Sequence, residues 1–365
     1  MCARTTSKLL YDKYLFRFLL CSLLVNIFGI KFVSAEEDQS RLYSTREERR
    51  EAGVKHEITP WLTIAGLAEF EWEWKKFDYR SLDGNDYIKN NSASVQLGID
   101  IMPLDWTLVE IITEYDTDAN ELFLDEATIA FEHDAWELVI GKQALDFGVF
   151  FSHFASGPIL EFGETTDYAV TLAYNYQDIF DVHVSAFRGD AHKTNSNDKL
   201  DWSAALETWL TDYLSFGMSF SSDLAEADTS LLGDFGNNYQ KKVPALSGYL
   251  LWVGENYEIT LEALGAIRDF RELDTDRNQP IAWNMEFVHF VTPKIDWALR
   301  LEGSYELEDE PELQVGIALN YRLHKNIYLS TEILHGFFKD DLATDDRNNA
   351  YKSVTSLGAL LSVAF

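Results

Sequence analysis

Apolar and polar side chains alternate with a period of two over unusually long stretches of this chain. The clearest stretch runs from Ile295 to Leu307, and two more follow at 313–323 and 327–337. Strands of soluble proteins are usually about five or six residues long, whereas these patterns extend over about ten. Strands of a membrane barrel have this length and this pattern, because one face meets lipid and the other a polar lumen. The alternation therefore predicts an all-β fold, an antiparallel transmembrane β-barrel.

The same alternation predicts about sixteen strands, an even number in the range of barrels with a water-filled lumen. They lie near 61–77, 92–102, 106–116, 122–131, 136–142, 166–175, 179–188, 200–209, 212–222, 245–253, 256–268, 280–291, 294–307, 312–323, 325–338 and 350–365. Very short connections alternate with longer ones rich in Asp, Asn, Gly and Ser, such as 78–91 and 223–244. Short turns at one end and long loops at the other are typical of porins, with both termini in the periplasm.

The connection between the fifth and sixth predicted strands is too long and too apolar for a solvated loop. From Leu145 to Thr166 it contains five phenylalanines, and Gly148, Gly157, Pro158 and Gly163 exclude a regular element. Its apolar side chains need burial inside something that surrounds them. We therefore predict that the segment folds into the lumen as a constriction loop. Its polar side would offer Lys142, Asp146, His153, Glu161, Glu164 and Asp167. Burial of the aromatic rings as a partial plug, without substrate contact, is the alternative.

The first 35 residues have the layout of a cleaved signal peptide. Basic residues precede an apolar run from Phe18 to Phe28, and Val33-Ser34-Ala35 offers a small-residue cleavage site. A retained anchor is the alternative, although this run is shorter than the roughly 20 residues of a spanning helix. Residues 36–57 are mostly polar and predict a short periplasmic arm, which leaves 58–365 for the barrel. Both cysteines precede the cleavage site, so no disulfide is expected.

The formal net charge of −31 excludes a nucleic-acid partner, since nothing could neutralise the phosphates. On the predicted register many carboxylates line the pore: Glu69, Glu71, Glu73, Asp100, Glu110, Glu114, Glu126, Glu137, Glu207, Glu258, Glu262, Glu286, Asp296, Glu302, Glu306 and Glu332. Lys75, Arg300 and Arg322 are their basic partners. Rings of carboxylates concentrate cations and repel anions, which predicts a cation-preferring pore. A wetted inner wall without a substrate role is the alternative for each single residue.

Catalytic patterns are weak in this sequence. His183 and Ser185 lie two apart on one strand face, a spacing that a lipase could use, but no supporting motif accompanies them. The eight histidines are scattered without metal-ligand spacing. We expect neither an enzyme, nor a cofactor, nor a metal site.

Four motifs in the central part of the chain resemble one family. They are LDEATIAF (124–131), GKQALDFGVF (141–150), SGPILEFGETTDYA (156–169) and FRGD (187–190). In this order and spacing they are similar to the LbtU family of siderophore porins, the legiobactin-receptor type, and FSSDLAEAD (220–228) resembles a further segment of that family. The chain departs from the family pattern at Lys142, Ala144 to Asp146, Gly157 and Arg188.

The resemblance implies passive uptake of a ferric siderophore or similar small iron chelate, without a plug domain. The candidate constriction and substrate residues are then Lys142, Asp146, Glu161, Glu164, Arg188, Arg300 and Arg322. For an anionic chelate to pass, the basic residues Lys142, Arg188, Arg300 and Arg322 would have to lie along one side of the pore. A general cation-preferring porin and, in a different class, a structural or surface-binding barrel are the alternatives.

Expected partners follow from the barrel and from its last strand. That strand alternates up to Phe365, a terminal aromatic that resembles the signal read by the outer-membrane barrel assembly machinery. The outer loops and the apolar face predict contact with lipopolysaccharide and outer-membrane lipid. A homotrimer is an arrangement that the barrel allows. The predicted location is the outer membrane of a Gram-negative bacterium.

Overall fold

The computed structural model describes residues 56–81, 84–176, 179–189, 191, 200–211, 213–229, 231, 239, 241–273, 277–339, 342–345 and 347–365. The predicted signal peptide, the predicted arm up to residue 55 and Asp190 of the FRGD motif lie outside these residues. No helix among the described residues is long and apolar enough to cross a membrane.

The described chain is built from β-strands. Their bounds are β1 His56–Thr59, β2 Leu62–Tyr79, β3 Asn85–Leu104, β4 Thr107–Asp116, β5 Glu121–His133, β6 Trp136–Ala144, β7 Thr166–Tyr176, β8 Phe180–Arg188, β9 Leu200–Thr211, β10 Leu214–Ser221, β11 Ala245–Val253, β12 Tyr257–Ala266, β13 Ile281–Thr292, β14 Ile295–Tyr305, β15 Leu313–His324, β16 Ile327–Phe337 and β17 Tyr351–Ala364. Two short 3-10 helices, Ile159–Gly163 and Leu224–Glu226, lie in connections.

Strands β2 to β17 form one closed antiparallel barrel. Each pairs with its neighbours in the chain, and β17 pairs with β2 from Tyr351 opposite Tyr79 to Ala364 opposite Leu67. The short β1 adds to β2 beside this seam, where Glu57 lies opposite Thr63. The prediction of a sixteen-stranded antiparallel barrel is confirmed.

Closure also involves the last residue of the chain. The backbone of Phe365 exchanges two hydrogen bonds of 2.8 Å with Gly66, and its ring lies over that glycine, where a Cβ would collide with it. Phe365 therefore extends the last ladder by one pair. That the barrel assembly machinery recognises Phe365 stays a prediction.

Two boundaries differ from the sequence prediction. The expected loop at 78–91 is mostly strand, because β3 begins at Asn85 and pairs with β2 from Asn85 opposite Asp78 onward. The apolar residues in that part of β3, Tyr87 and Ile88, are adjacent and the others are polar, so the alternation by which strands are recognised is absent there. Residues 56 and 57, predicted to belong to the arm, lie in β1.

The two faces of the barrel differ as predicted. On β15, Ile317 and Leu319 are 49% and 51% exposed, whereas Ala318 and Asn320 between and beyond them are 1% and 7% exposed. The exposed side chains form an apolar outer surface, and the buried ones point to the interior. Because a cross-strand pair has both side chains on one face, the register assigns the face of every paired residue.

The assignment of the faces predicts that a charged substitution lowers the unfolding free energy more on the outer face than on the inner face. Ile317→Arg, near the middle of β15, should lower the unfolding free energy in lipid vesicles by about 2–4 kcal/mol, because the charge would enter hydrocarbon. Gln96→Arg is the matched control, since Gln96 lies on the inner face beside Glu114. Denaturant titration of both refolded variants measures the difference. Equal costs at the two positions would contradict the assignment of the faces.

Candidate functional site

Residues 145–165, which join β6 to β7, form the constriction loop. The amide of Leu145 donates to the carbonyl of Thr165 over 2.8 Å and brings the two ends of the loop together. Between them Phe147, Phe154 and Leu160 are almost completely buried. The loop packs against inner-face residues of the barrel, which confirms the predicted inward folding.

Two large apolar clusters hold the loop, and two smaller ones, at Leu145 and at Val149 with Phe151, add to them. Near its two ends, which lie together, Phe147, Leu160 and Phe162 pack with other side chains of the barrel interior and the outer loops, including Leu264 of β12. In the middle of the loop, Phe154 packs on the inner face of β13–β16. Its buried neighbours there are Val288, Ala298, Ala318 and Leu334. These phenylalanines are the residues whose burial the sequence required, and the barrel interior provides it.

Acidic side chains of the wall bind the backbone of the loop. The Glu262 carboxylate on β12 accepts the amides of Val149 and Phe150, over 2.9 and 3.1 Å. Glu286 on β13 accepts the amide of His153 over 2.6 Å. Hydrogen bonds from amides to a carboxylate are about twice as strong as those between neutral groups. Each such glutamate therefore fixes one point of the loop.

Two further glutamates continue this pattern along the loop. Glu302 on β14 accepts the amide of Ile159 over 2.8 Å. Glu332 on β16 accepts the amides of Ala155, over 2.6 Å, and of Ser156, over 3.1 Å. Four wall carboxylates thus bind six loop amides, and all four are buried. The sequence predicts that these four glutamates belong to a solvated pore wall. In the structure they lie under the loop and are shielded from solvent.

Arg300 partly neutralises the charge of these glutamates. Its guanidinium pairs with Glu286 over 3.2 Å and with Glu302 over 3.5 Å. It also donates to the Ser152 hydroxyl and to the carbonyls of Gly157 and Ser156, and it stacks over the Phe154 ring at 4.1 Å. Arg300 is 2% exposed. The residue therefore binds loop and wall together and lies behind the loop, away from any solute in the lumen.

His153 forms a second buried charge cluster. Its ring nitrogens lie 3.4 Å from Glu258 and 3.6 Å from Asp296, and the Asn320 amide binds the His153 carbonyl. Burial disfavours a charged imidazole here, but the two carboxylates outweigh it and raise the pKa of His153 to about 10. The charged histidine therefore adds an ion-paired contact to the loop at neutral pH.

Lys142 and Arg188 do not lie where the sequence predicted. Lys142 pairs with Tyr168, and Arg188 with Leu200, whose side chains are 65% and 72% exposed on the outer face. Both basic residues therefore face outward from β6 and β8. Lys142 directs its amine to the carbonyl of Leu124, over 2.6 Å. The prediction that Lys142 and Arg188 line the constriction is therefore wrong, because the register assigns both residues to the lipid side, and they do not contribute to the basic line that an anionic chelate would need.

The other predicted residues lie nearer the lumen. Asp146 is half-buried at the start of the constriction loop, and Glu161 and Glu164 are half-buried in and after its 3-10 helix. The carbonyl of Glu164 accepts the amide of Asp228 from an outer loop. Arg322 lies on the inner face of β15 near its short turn, with its guanidinium 5.1 Å from the Tyr328 ring.

Strands β2–β4 carry a further acidic group on the inner face. Asp100 of β3 lies directly opposite Glu110 of β4, and Glu114 bonds Gln96 over 2.7 Å. On β2, Glu73 pairs with Lys75 over 2.9 Å. Two carboxylates side by side raise the local negative potential, so this wall attracts cations.

The residue pair that suggested a lipase has a structural explanation. Ser185 is completely buried and shares a hydrogen bond of 2.8 Å with Thr171, whereas His183 bonds Asp146 over 2.9 Å. Asp146 and His183 border a small cavity of about 80 Å³ beside the constriction loop. The serine is held by a threonine, and the histidine is bonded to the loop instead.

No protein-family model matches this chain, and no curated protein matches it significantly. Solved structures do. The outer membrane channel DcaP of Acinetobacter baumannii has a TM-score of 0.53 at 15% identity, over 86% of this chain and 99% of that one. The chain has a porin fold. A triple mutant of the Rhodopseudomonas blastica porin has a TM-score of 0.52 at 10% identity, over 82% and 99% of the two chains. OmpT of Vibrio cholerae, in its trimer form, has a TM-score of 0.50 at 12% identity, over 84% and 100%.

The contacts of Glu332 predict a loosened loop when its charge is removed. Glu332→Gln would turn an amide group toward two loop amides and should weaken this anchor by about 1.5–3 kcal/mol. We expect larger and noisier single-channel currents from the refolded variant. Glu114→Gln is the matched control, because Glu114 bonds a neighbouring strand and not the loop. Identical noise in both variants would show that the carboxylate does not hold the loop.

The raised pKa of His153 predicts that the current noise caused by the loop depends on pH. Its folded pKa is raised above the ordinary 6.5, so its stabilisation is fully present below about pH 6.5 and is lost as pH rises through about 10. Loop noise in the wild-type channel should therefore increase toward pH 10. In His153→Gln the noise should be higher and change little over that range. A variant with the wild-type pH profile would exclude His153 as its source.

Proposed function

We propose that this protein is an outer-membrane porin, a constricted passive channel that prefers cations. One observation carries the proposal: an apolar loop folded inside a closed sixteen-stranded barrel and fixed to one wall by buried glutamates. A loop held in this way narrows a lumen without a separate plug domain. The apolar outer face suits a lipid bilayer, and outer-membrane lipid is the expected surrounding.

The charge of the inner wall supports the preference for cations. The loop uses the carboxylates of Glu262, Glu286, Glu302 and Glu332, and Arg300 partly neutralises them. The acidic residues of β2–β4 lie beyond the β17–β2 seam from the strands that hold the loop. On this part of the wall Asp100 and Glu110 lie side by side. Permeating ions therefore meet a negative wall, which raises the local cation concentration.

A small iron chelate is the solute that we propose within this class. The support is the resemblance of four ordered motifs to siderophore porins, and three of them border or form the constriction loop. Lys142 and Arg188 face outward and Arg300 is buried, so these three residues do not form a basic line for an anionic polycarboxylate chelate. An acidic lumen suits a neutral or positively charged ferric chelate better, such as one with hydroxamate ligands.

Selectivity of the refolded barrel in a planar bilayer tests the channel. In a KCl gradient we expect a reversal potential on the cation-selective side. The double variant Asp100→Asn and Glu110→Gln should shift it toward zero, because two inner-face charges are removed. Asp105→Asn is the matched control, since Asp105 is exposed in the turn after β3. Anion preference, or an equal shift in the control, would overturn the proposed wall potential.

Blocking by ferric chelates tests the solute. A positively charged ferric hydroxamate should reduce the open current at lower concentration than a ferric polycarboxylate of similar size. Equal indifference to both would leave a general cation-preferring porin. A complete absence of conductance would favour the third reading, a closed barrel whose outer loops bind lipopolysaccharide or another surface partner. The homotrimer and the reading of Phe365 by the assembly machinery remain predictions.

A further inference from the structure

Three carboxylates meet at the outer end of β9. Asp201 is the second residue of β9, Asp223 precedes the 3-10 helix Leu224–Glu226, and Glu226 ends that helix. One carboxylate oxygen from each lies within 4.8 Å of the others. Asp201 and Asp223 are 0% and 1% exposed, and Glu226 is half-buried. Three acidic groups thus share a small volume that water barely reaches.

Asp201 has one oxygen that the protein does not use. Its Oδ1 accepts the Ser222 hydroxyl over 2.7 Å and pairs with the Lys242 amine over 3.0 Å. Its Oδ2 is buried and has no hydrogen-bond partner among the described residues. A buried carboxylate oxygen without a partner is unfavourable, so this atom calls for a ligand. Both this oxygen and the Glu226 carboxylate lie within 3 Å of the position that a Cβ at Gly189 would take.

Gly189 shows how closely the backbone covers the two carboxylates. A Cβ at Gly189 would collide with the carboxylate of Glu226 and lie 2.8 Å from Asp201 Oδ2. The amide of Ala191 donates to both Glu226 oxygens, over 3.2 and 3.1 Å. The two acidic groups are therefore held together under the end of β8, although their charges repel.

Protein groups bind one oxygen of each aspartate. The Lys242 amine contacts Asp201 Oδ1 and the Leu200 carbonyl, over 3.0 and 2.6 Å. Asp223 Oδ1 accepts the Tyr239 hydroxyl and the amides of Ala225 and Val243. These contacts orient the two carboxylates, while Asp201 Oδ2 stays the buried oxygen without a hydrogen-bond partner among the described residues.

We propose that Asp201, Asp223 and Glu226 bind a calcium ion. Oxygen ligands of a hard cation fit this donor set. Mg²⁺ usually keeps several waters and takes one or two carboxylates, whereas Ca²⁺ accepts more protein oxygens in a more flexible geometry. Three carboxylate oxygens within 4.8 Å of one another therefore favour calcium.

The ion would connect an outer loop to the constriction loop. Asp228, two residues after Glu226, accepts the Thr166 amide over 3.0 Å and donates its own amide to the Glu164 carbonyl over 2.8 Å. The Thr229 hydroxyl donates to the Phe162 carbonyl over 2.7 Å. A bound cation fixes 223–226 on β9 and thereby supports the second end of the constriction loop.

Terbium luminescence and calcium titration of the refolded full-length barrel test the site. Tb³⁺ should give sensitised emission excited through Tyr239, whose hydroxyl lies 2.8 Å from Asp223, and Ca²⁺ should displace it more strongly than Mg²⁺. Glu226→Gln should weaken Ca²⁺ binding by about tenfold or more, because one charged ligand is lost. Asp134→Asn is the matched control. Asp134 is 88% exposed in a turn with φ of 52°, which asparagine tolerates.

The outcomes separate a built site from diffuse binding to an acidic protein. Loss of saturable binding in Glu226→Gln with wild-type binding in Asp134→Asn supports the proposal. Absence of displaceable terbium emission in the wild type overturns it, as does equal calcium affinity in all three proteins. Heat-modifiable gel mobility verifies folding. If Glu226→Gln does not fold, Asp201→Asn repeats the comparison at a second ligand. Loss of saturable binding then supports the proposal, and an unchanged calcium affinity overturns it.

Discussion

The central constraint on this molecule is the backbone of a loop buried inside a barrel. Every buried amide needs an acceptor, but the carbonyls of the wall are already used in the strand ladders. Side chains must therefore supply the acceptors, and Glu262, Glu286, Glu302 and Glu332 do so for six amides. A carboxylate suits this task because each of its oxygens can accept from a different amide. Arg300 then compensates the buried charge and binds loop carbonyls that would otherwise lack donors.

This arrangement gives the acidic wall two roles. On β12–β16 the glutamates are structural, since they hold the constriction loop and are shielded from the lumen. On β2–β4 the carboxylates face the remaining interior and set its potential. In the proposed channel, the narrow passage and the charge preference would both come from the same residue type at equivalent inner-face positions. The outer end of β9 adds a third use, in which three carboxylates converge on a proposed cation.

Much of the fold follows from the sequence because a period of two is a strong and local signal. The alternation at Ile317 and its neighbours predicts both strand and face, and the apolar content of 145–165 predicts inward folding. The site is less predictable. Which glutamate binds which loop amide depends on register across several strands, so Glu332 looks like any pore-lining carboxylate in the sequence. The sequence prediction places Lys142 and Arg188 in the pore because motif resemblance carries no information about the face of a strand.

Amide hydrogen exchange of the refolded barrel tests this account most directly. The amides of Val149, Phe150, His153, Ala155 and Ile159 are bonded to wall glutamates, so they should exchange as slowly as strand amides, although they belong to a connection. Asp134, which is 88% exposed in the turn between β5 and β6, provides the fast reference within the same molecule. Slow exchange of the loop amides is the predicted result. Exchange as fast as at Asp134 would show that the loop is not held against the wall, and the constricted-channel account would fail.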